Sequence, residues 1–339
     1  MEHLTIRDIA RMAGVSPTAV SFVLNNKKGV SDETRLKIQE IIQSTGFTPN
    51  VHTRRLNLKK SFNVTLGIKQ NVSAITNIFY LEILLSILDE SKYYEYNIVL
   101  SDITDTQSEK RLLSNIRNND TDGIIFIQDP SPYLITETQQ TSKPFIIVDT
   151  QDVNCPHTTV RVDYAEAARV SVEYLISKGH RSIAFFGMEV HPSFYLNAFN
   201  GYKQALEDAD LSFMPNWIQP SAYDEQSSYE CMKTILNGAS IPTAIFCSSD
   251  MFAFGSMKCA NDKGYKIPDD ISFIGIDDVM LSKYSQPALT TLSIDEDLMG
   301  RSAMRLIDIM IHGEPYESIV LSSTTIIERD SVKDLNAAE

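Results

Sequence analysis

"LTIRDIARMAGVSPTAVSFVLNNKKGV", residues 4–30, sets two short helical patterns on either side of a single glycine. Thr5 can cap a helix running from Ile6 to about Ala13, and Asp8, three residues on, can return the bond as in a capping box. Ile6, Ile9, Ala10 and Ala13 then share one face. Gly14 ends the helix where a left-handed residue is needed. Ser16 caps a second helix, with Pro17 at its first position, where a missing N–H costs little. Val20, Val23 and Leu24 point inward, leaving Pro17, Thr18, Ser21 and Phe22 on the outward face. A third helix follows Ser31, turns Ile38, Ile41 and Ile42 inward, and stops at Gly46. The spacing predicts a helix-turn-helix. Its second helix is of a size to enter a major groove, N-terminal residues nearest the bases. The hydroxyls of Ser16, Thr18 and Ser21 suit phosphate and base-edge contacts. The same shape also serves as a plain structural unit, so geometry alone leaves both uses open.

The charge is unevenly divided. Residues 1–60 hold ten Lys/Arg against five acids, a net +5, whereas the remainder holds twenty against thirty-nine, a net −19. A basic head on an acidic body points to a polyanionic partner at one end. The four cysteines, Cys155, Cys231, Cys247 and Cys259, are widely spaced and fit reduced thiols of a cytoplasmic protein. No 18-residue apolar segment or cationic leader pattern is present, so neither export nor membrane spanning is expected.

The head also resembles the DNA-binding headpiece of the lactose-repressor (LacI/GalR) family of bacterial transcription regulators. The matching elements are Thr5–Ile6, Asp8–Ile9–Ala10, Ala13–Gly14–Val15–Ser16, Val20–Ser21, Val23–Leu24–Asn25, Val30–Ser31, Thr34–Arg35, Gly46–Phe47 and Pro49–Asn50. The resemblance implies that Thr5, Ser16, Ser21, Asn25, Ser31, Thr34 and Asn50 contact the DNA backbone, and that Pro17, Thr18 and Phe22 read bases. Phe22 stands where the family usually has a long polar residue, most often Arg, and Ala19 where it often has Thr. Phe cannot make the bidentate guanine contact of Arg but can touch a thymine methyl, so an altered operator is expected; simple packing is the other role open to Phe22. The stretch "NVHTRRLNLKKS", residues 50–61, reads alone as a basic linker. In the family it folds into a hinge helix on DNA. There a Leu at the position of Leu56 wedges into the minor groove, with Arg54 and Arg55 at hand for phosphates.

Beyond Ser61, short β-rich apolar runs alternate with amphipathic stretches. The runs are Val64–Ile68, Asn97–Leu100, Gly123–Ile127, Phe145–Val148, Thr159–Val162, Ser182–Phe186, Ala244–Cys247 and Ser272–Gly275. Helices are expected near 78–92, 106–118, 164–178, 195–209, 224–236, 251–263 and 296–312. Such alternation predicts parallel sheets covered by helices, and the length favours two α/β lobes. The body resembles the family's periplasmic-binding-protein-like effector domain, in which the chain crosses between lobes three times, here near 161, 291 and 323. The expected division is a headpiece at 1–49, a hinge at 50–61 and an effector and dimerisation domain at 62–330. Its lobe 1 takes 62–160 and 292–322, its lobe 2 161–290 and 323–330.

Ligands of open α/β sheets bind beyond the carboxyl ends of the strands. Asp149, Ser249 and Asp277 stand at such ends, with Asp250 and Asp278 beside them, where they can hold a ligand or cap the following helices. Phe79, Tyr80, Phe194 and Tyr195 are candidates for stacking faces or for core packing. The effector candidates are therefore Phe79, Asp149, Phe194, Ser249 and Asp277, for a sugar or sugar phosphate. Ala198 departs from the sugar-responsive pattern, which commonly has a ligand-holding Arg three residues before the Gly of "GYKQAL". That absence, with "NIFY" at 77–80, is similar to the catabolite control proteins, whose corepressor is a phosphorylated carrier protein. Arg305 matches a carrier-contact position there, whereas Asp297 replaces the usual Tyr.

Enzyme motifs fail in turn. "YLISK", 174–178, has a Tyr-x-x-x-Lys spacing but no glycine-rich nucleotide loop accompanies it. The six histidines never pair at helical metal-binding spacing, and no nucleophile elbow occurs. No catalytic residue, metal or cofactor is expected. A small-molecule binding protein without regulatory role is the other class weighed, and the basic head argues against it. The reading is a homodimeric, effector-controlled repressor acting on a roughly palindromic operator in the cytoplasm.

Overall fold

The computed structural model describes residues 4–24, 27–47, 60–69, 78–150, 152–187, 192–220, 224–322 and 325–337, with the side chains of 192–194 excepted. The chain divides into two units, Met1–Phe62 and Asn63–Glu339.

The first unit holds α1 (Ile6–Ala13), α2 (Pro17–Leu24) and α3 (Asp32–Thr45). The Thr5 hydroxyl accepts from the Asp8 N–H at 3.4 Å while the Asp8 carboxylate accepts from the Thr5 N–H at 3.0 Å, so the capping box closes in both directions. Gly14 adopts φ 70° and ψ 33°, the left-handed turn a side chain would strain. Ser16 accepts from the Ala19 N–H at 3.2 Å and Ser31 from the Thr34 N–H at 3.3 Å. Ile9, Ala10, Ala13, Val20, Val23, Ile38 and Phe47 form the core, with Ile41 and Ile42 only half-buried at its margin. A core this small leaves each cap, worth about 0.5–2 kcal/mol, a sizeable share of stability.

Among the described residues the second unit contains two six-stranded sheets. Strands β1 (Asn63–Ile68), β2 (Asn97–Asp102), β3 (Gly123–Ile127), β4 (Phe145–Val148), β5 (Thr159–Val162) and β11 (Ile319–Leu321) form the first, in the order β11-β5-β4-β3-β1-β2 and parallel throughout. Strands β6 (Ile183–Phe186), β7 (Ile218–Gln219), β8 (Ala244–Cys247), β9 (Ser272–Asp277), β10 (Thr290–Ser293) and β12 (Ile326–Ile327) form the second, ordered β12-β10-β9-β8-β6-β7. Only β12 runs antiparallel among these pairings. The first sheet is covered by α4 (Ile78–Ser91), α5 (Thr106–Arg117), α6 (Pro132–Gln139) and, late in the chain, α11 (Glu296–Ile311). The second is covered by α7 (Tyr164–Ser177), α8 (Pro192–Asp208), α9 (Glu225–Leu236) and α10 (Asp250–Asp262).

The two-lobed α/β architecture with parallel sheets is the one the alternating pattern implied. Helix α6 and the short strands β7, β10, β11 and β12 go beyond that pattern. The chain leaves the first sheet after Val162 and the second after Ser293, slightly beyond the expected 161 and 291, because each strand runs to its carboxyl end before the chain crosses. The third crossing lies between β11 and β12. One apolar cluster, including Ile146, Val160, Phe246, Ile276 and Met304, continues from sheet to sheet, so the lobes share packed core.

Candidate functional site

Within the first unit, α2 leaves Pro17 and Thr18 exposed and Ser21 and Phe22 half-buried. Thr5, Ser16 and Ser31 hold their hydroxyls at helix N-termini, where the caps already engage them, and Thr34 lies 2.8 Å from Ser31, hydroxyl to hydroxyl. Phe22 packs over Gly29, where an added Cβ would meet the ring at 3.0 Å, so its ring is partly committed to its own loop. Arg35 donates to the Lys27 carbonyl at 2.8 Å and ties that loop to α3. Asn25, Asn50, Arg54 and Leu56 lie outside the described residues.

In the second unit the carboxyl ends of both sheets converge. Asp149, directly after β4, is 1% exposed. Its carboxylate accepts from the Tyr80 hydroxyl at 2.6 Å and from the Tyr164 hydroxyl at 3.0 Å, and Gln128 donates to Tyr80 at 2.6 Å. Tyr80 sits on α4 over the first sheet, whereas Tyr164 opens α7 on the second, so this chain of bonds joins the lobes. Phe79 is 4% exposed and meets Tyr80 edge-on at 5.1 Å, a core position. Phe194 belongs to α8, but its side chain lies outside the described residues.

Across the cleft, Ser249 donates to the Asp277 carboxylate at 3.0 Å. Asp250 is fully buried and accepts from the Val279 N–H at 3.1 Å and from Ser282 and Thr291, each at 2.6 Å. An added Cβ at Gly275 would lie 2.1 Å from that carboxylate, so the close approach requires glycine. Arg329 pairs with Asp278 at 2.5 Å. Gln128, Asp149, Asp277 and Asp278 all adopt positive φ, of 63°, 57°, 121° and 61°. Backbone strain of this kind gathers at ligand clamps.

Burial holds the Asp277 carboxyl well above the usual carboxylate range, and the neighbouring charges of Asp250, Glu296 and Asp149 push the same way. Burial likewise raises Asp250 against the pull of its three donors, and pushes Glu296, the first residue of α11, up to about 8. Burial, then the charge of Asp149, raises the hydroxyls of Tyr80 and Tyr164, so both stay protonated donors. The sequence offers Tyr80 only as a stacking face or core residue and does not single out Gln128, Tyr164 or Glu296, whereas in the structure Tyr80 acts through its hydroxyl. Tyr80 lies 69 residues before Asp149 and Tyr164 15 after it, so only the fold brings them together.

The remaining sequence candidates resolve simply. Lys178, 5.4 Å from the Tyr174 ring centre, bonds Glu328 at 2.8 Å and anchors the C-terminal segment. Gly179 follows that helix with φ 91°. Among the described residues no group of three or more His, Cys, Asp or Glu could hold a metal, and no helix is long and apolar enough to cross a membrane.

Residues 5–50 match the family described as bacterial regulatory proteins, lacI family, and residues 172–332 match a periplasmic binding protein-like domain. Catabolite control protein A of Priestia megaterium is 33% identical over 335 residues, covering 98% of this chain and all of that one. The chain belongs to the lacI family. The transcriptional repressor PurR of Histophilus somni is 29% identical to this lacI-family chain over 338 residues, covering 98% of it and 99% of PurR. A lac repressor dimer bound to operator and an anti-inducer shares the fold, with a TM-score of 0.84 at 21% identity over 98% of this chain and all of that one. This lacI-family protein is a DNA-binding transcriptional regulator and not an enzyme.

Proposed function

We propose that the protein is a homodimeric repressor of carbohydrate or catabolite genes, acting in the bacterial cytoplasm on nucleoid DNA. In this reading residues 1–49 bind operator, 50–61 form the hinge, and 62–330 bind effector and dimerise. The observation that carries it is the capped, glycine-turned helix pair that leaves Pro17 and Thr18 exposed at the start of α2. Thr5, Ser16, Ser21, Asn25, Ser31, Thr34, Asn50 and Arg54 contact the DNA backbone, Pro17, Thr18 and Phe22 meet bases, and Leu56 enters the minor groove. A small effector, a sugar or sugar phosphate in the first instance, occupies the cleft between Asp149 and Asp277, near Phe79, Phe194 and Ser249. Its binding changes lobe closure, and with it DNA affinity, as a coupling free energy between two sites.

The relationship to catabolite control protein A favours a second reading, in which a phosphorylated carrier protein docks at Arg305. Arg305 is 62% exposed, but it lies 3.5 Å from Glu90, and the neighbouring Arg301 pairs with both Glu90 and Asp297. These carboxylates compete with an incoming phosphate, so the cleft reading is preferred. The test is Thr18→Asp. An acid in the first turn suits the α2 dipole yet repels DNA. Affinity for a duplex selected from random sequence should fall at least about tenfold, on the order of 1.4 kcal/mol, with melting unchanged. Undiminished affinity would remove α2 from the interface.

A further inference from the structure

We propose that Gly29 is a specificity-determining residue of the headpiece, acting through Phe22. With no side chain of its own, it lets the Phe22 ring lie back over the loop that follows α2. From that seat the outward part of the ring reads the methyl group of one operator thymine. The proposal rests on the reading of α2 as the helix that meets bases, with Phe22 among its contacts.

Both backbones that meet at this contact are held. Val20 and Val23 are buried in the headpiece core with Ile9, Ala13 and Ile38, which fixes the rotation of α2 about its axis. The Lys27 N–H donates to the Phe22 carbonyl at 2.8 Å and folds the loop back on the last turn of α2. Arg35 of α3 donates to the Lys27 carbonyl at 2.8 Å, and Val30 packs against the core. Gly29 lies inside this pinned stretch at φ 119°, a conformation that any side chain strains. A Cβ there would stand 3.0 Å from Phe22 Cε2 and 3.1 Å from Cδ2, closer than ordinary contact. Helix and loop cannot easily part, so the ring is what would have to turn away.

Phe22 is half-buried and lies one turn beyond the exposed Thr18, so part of its ring covers Gly29 and part faces outward. A phenyl ring carries no hydrogen-bonding group. Among base edges in a major groove it can therefore single out only the thymine methyl, by apolar contact. Such a reading depends on where the ring stands. A ring pushed off Gly29 either runs into the methyl or swings away from it, and both lower the preference for thymine.

The experiment uses the full chain and a duplex selected from random sequence. The position read by Phe22 is the one where Phe22→Ala abolishes the base preference, and its thymine is then replaced by deoxyuridine, which lacks only the methyl. The parent should bind the thymine duplex about fourfold tighter, as expected for one buried methyl-sized group. Gly29→Ala should bring that ratio close to one. In a Phe22→Arg background, where no ring covers the loop, Gly29→Ala should leave the base preference unchanged. Gly46→Ala is the control for backbone strain alone, since Gly46 has φ 63° with open space around it; it should melt lower and keep the fourfold ratio. Melting curves report folding. If Gly29→Ala does not fold, Arg35→Lys carries the test, because it frees the loop from α3 without touching Gly29, and it too should lower the ratio. An unchanged ratio in the folded variant overturns the proposal while leaving Phe22 a base reader. A preference that Gly29→Ala also alters in the Phe22→Arg background overturns it, and so does equal binding of thymine and deoxyuridine by the parent, or a G·C pair at the Phe22 position. If Phe22→Ala changes the preference at no position, the reading of Phe22 as a base contact falls and the proposal with it.

Discussion

Replacing Tyr164 with Phe removes one hydroxyl from the bond network that joins the lobes and leaves the ring volume in place. The lost bond runs 3.0 Å to Asp149, a carboxylate 1% exposed that keeps only the Tyr80 hydroxyl of the pair. A hydrogen bond to a charged group contributes about 1.5–3 kcal/mol, and the buried Asp149 carboxylate loses one such bond while it keeps the one from Tyr80. For a domain of this size each kcal/mol moves the midpoint by roughly 2–4 °C, so Tyr164→Phe should lower Tm by about 3–12 °C. The comparison is Tyr93→Phe, whose ring is 75% exposed, and which should shift Tm by less than about 2 °C. Differential scanning calorimetry of the two variants, without ligand and at one pH, measures the difference. Equal melting of Tyr164→Phe and Tyr93→Phe would refute the claim that the tyrosine–carboxylate chain ties the lobes together.

Three further outcomes follow from single side chains. Phe22→Arg should move the preferred base at its contact from thymine towards guanine by about 1–3 kcal/mol, read by competition between selected duplexes. Glu296 has a folded-state carboxyl at about 8, above its unfolded value, so its contribution is present in acid and lost as pH rises from roughly 4.5 through 8. Glu296→Gln should therefore melt higher than the parent above pH 8 and converge with it near pH 4. Gly275→Ala places a methyl 2.1 Å from the Asp250 carboxylate and should destabilise by about 1–3 kcal/mol in urea unfolding, whereas Gly264→Ala, with open space around it, should register only its backbone conformation.

The headpiece was legible because its information is local. Thr5, Gly14, Ser16 and Ser31 each fix a helix end through neighbours at most a few residues away, and each does so in the structure. The α/β body was legible for a similar reason, since its buried strands are short apolar runs between amphipathic helices. Strands β7, β11 and β12 escaped because two- or three-residue edges carry no period to read. The cleft was legible in outline only. Asp149, Ser249 and Asp277 could be placed at strand ends, but nothing local shows that Asp149 is already held by Tyr80 and Tyr164. Nor does the α11 pattern reveal that its first residue, Glu296, adds to the charge around Asp277. Phe22 shows the opposite limit, for its outward position on the helical wheel is partly cancelled by packing over Gly29.

The central claim is tested most directly by selecting duplex DNA from a random pool with the full-length protein, then measuring affinity and stoichiometry on the enriched sequence. The account predicts a two-fold-symmetric motif bound by two chains, with affinity falling steeply as salt rises because phosphate contacts release counterions. Enrichment of no sequence, with binding no tighter than to random duplex, would contradict it.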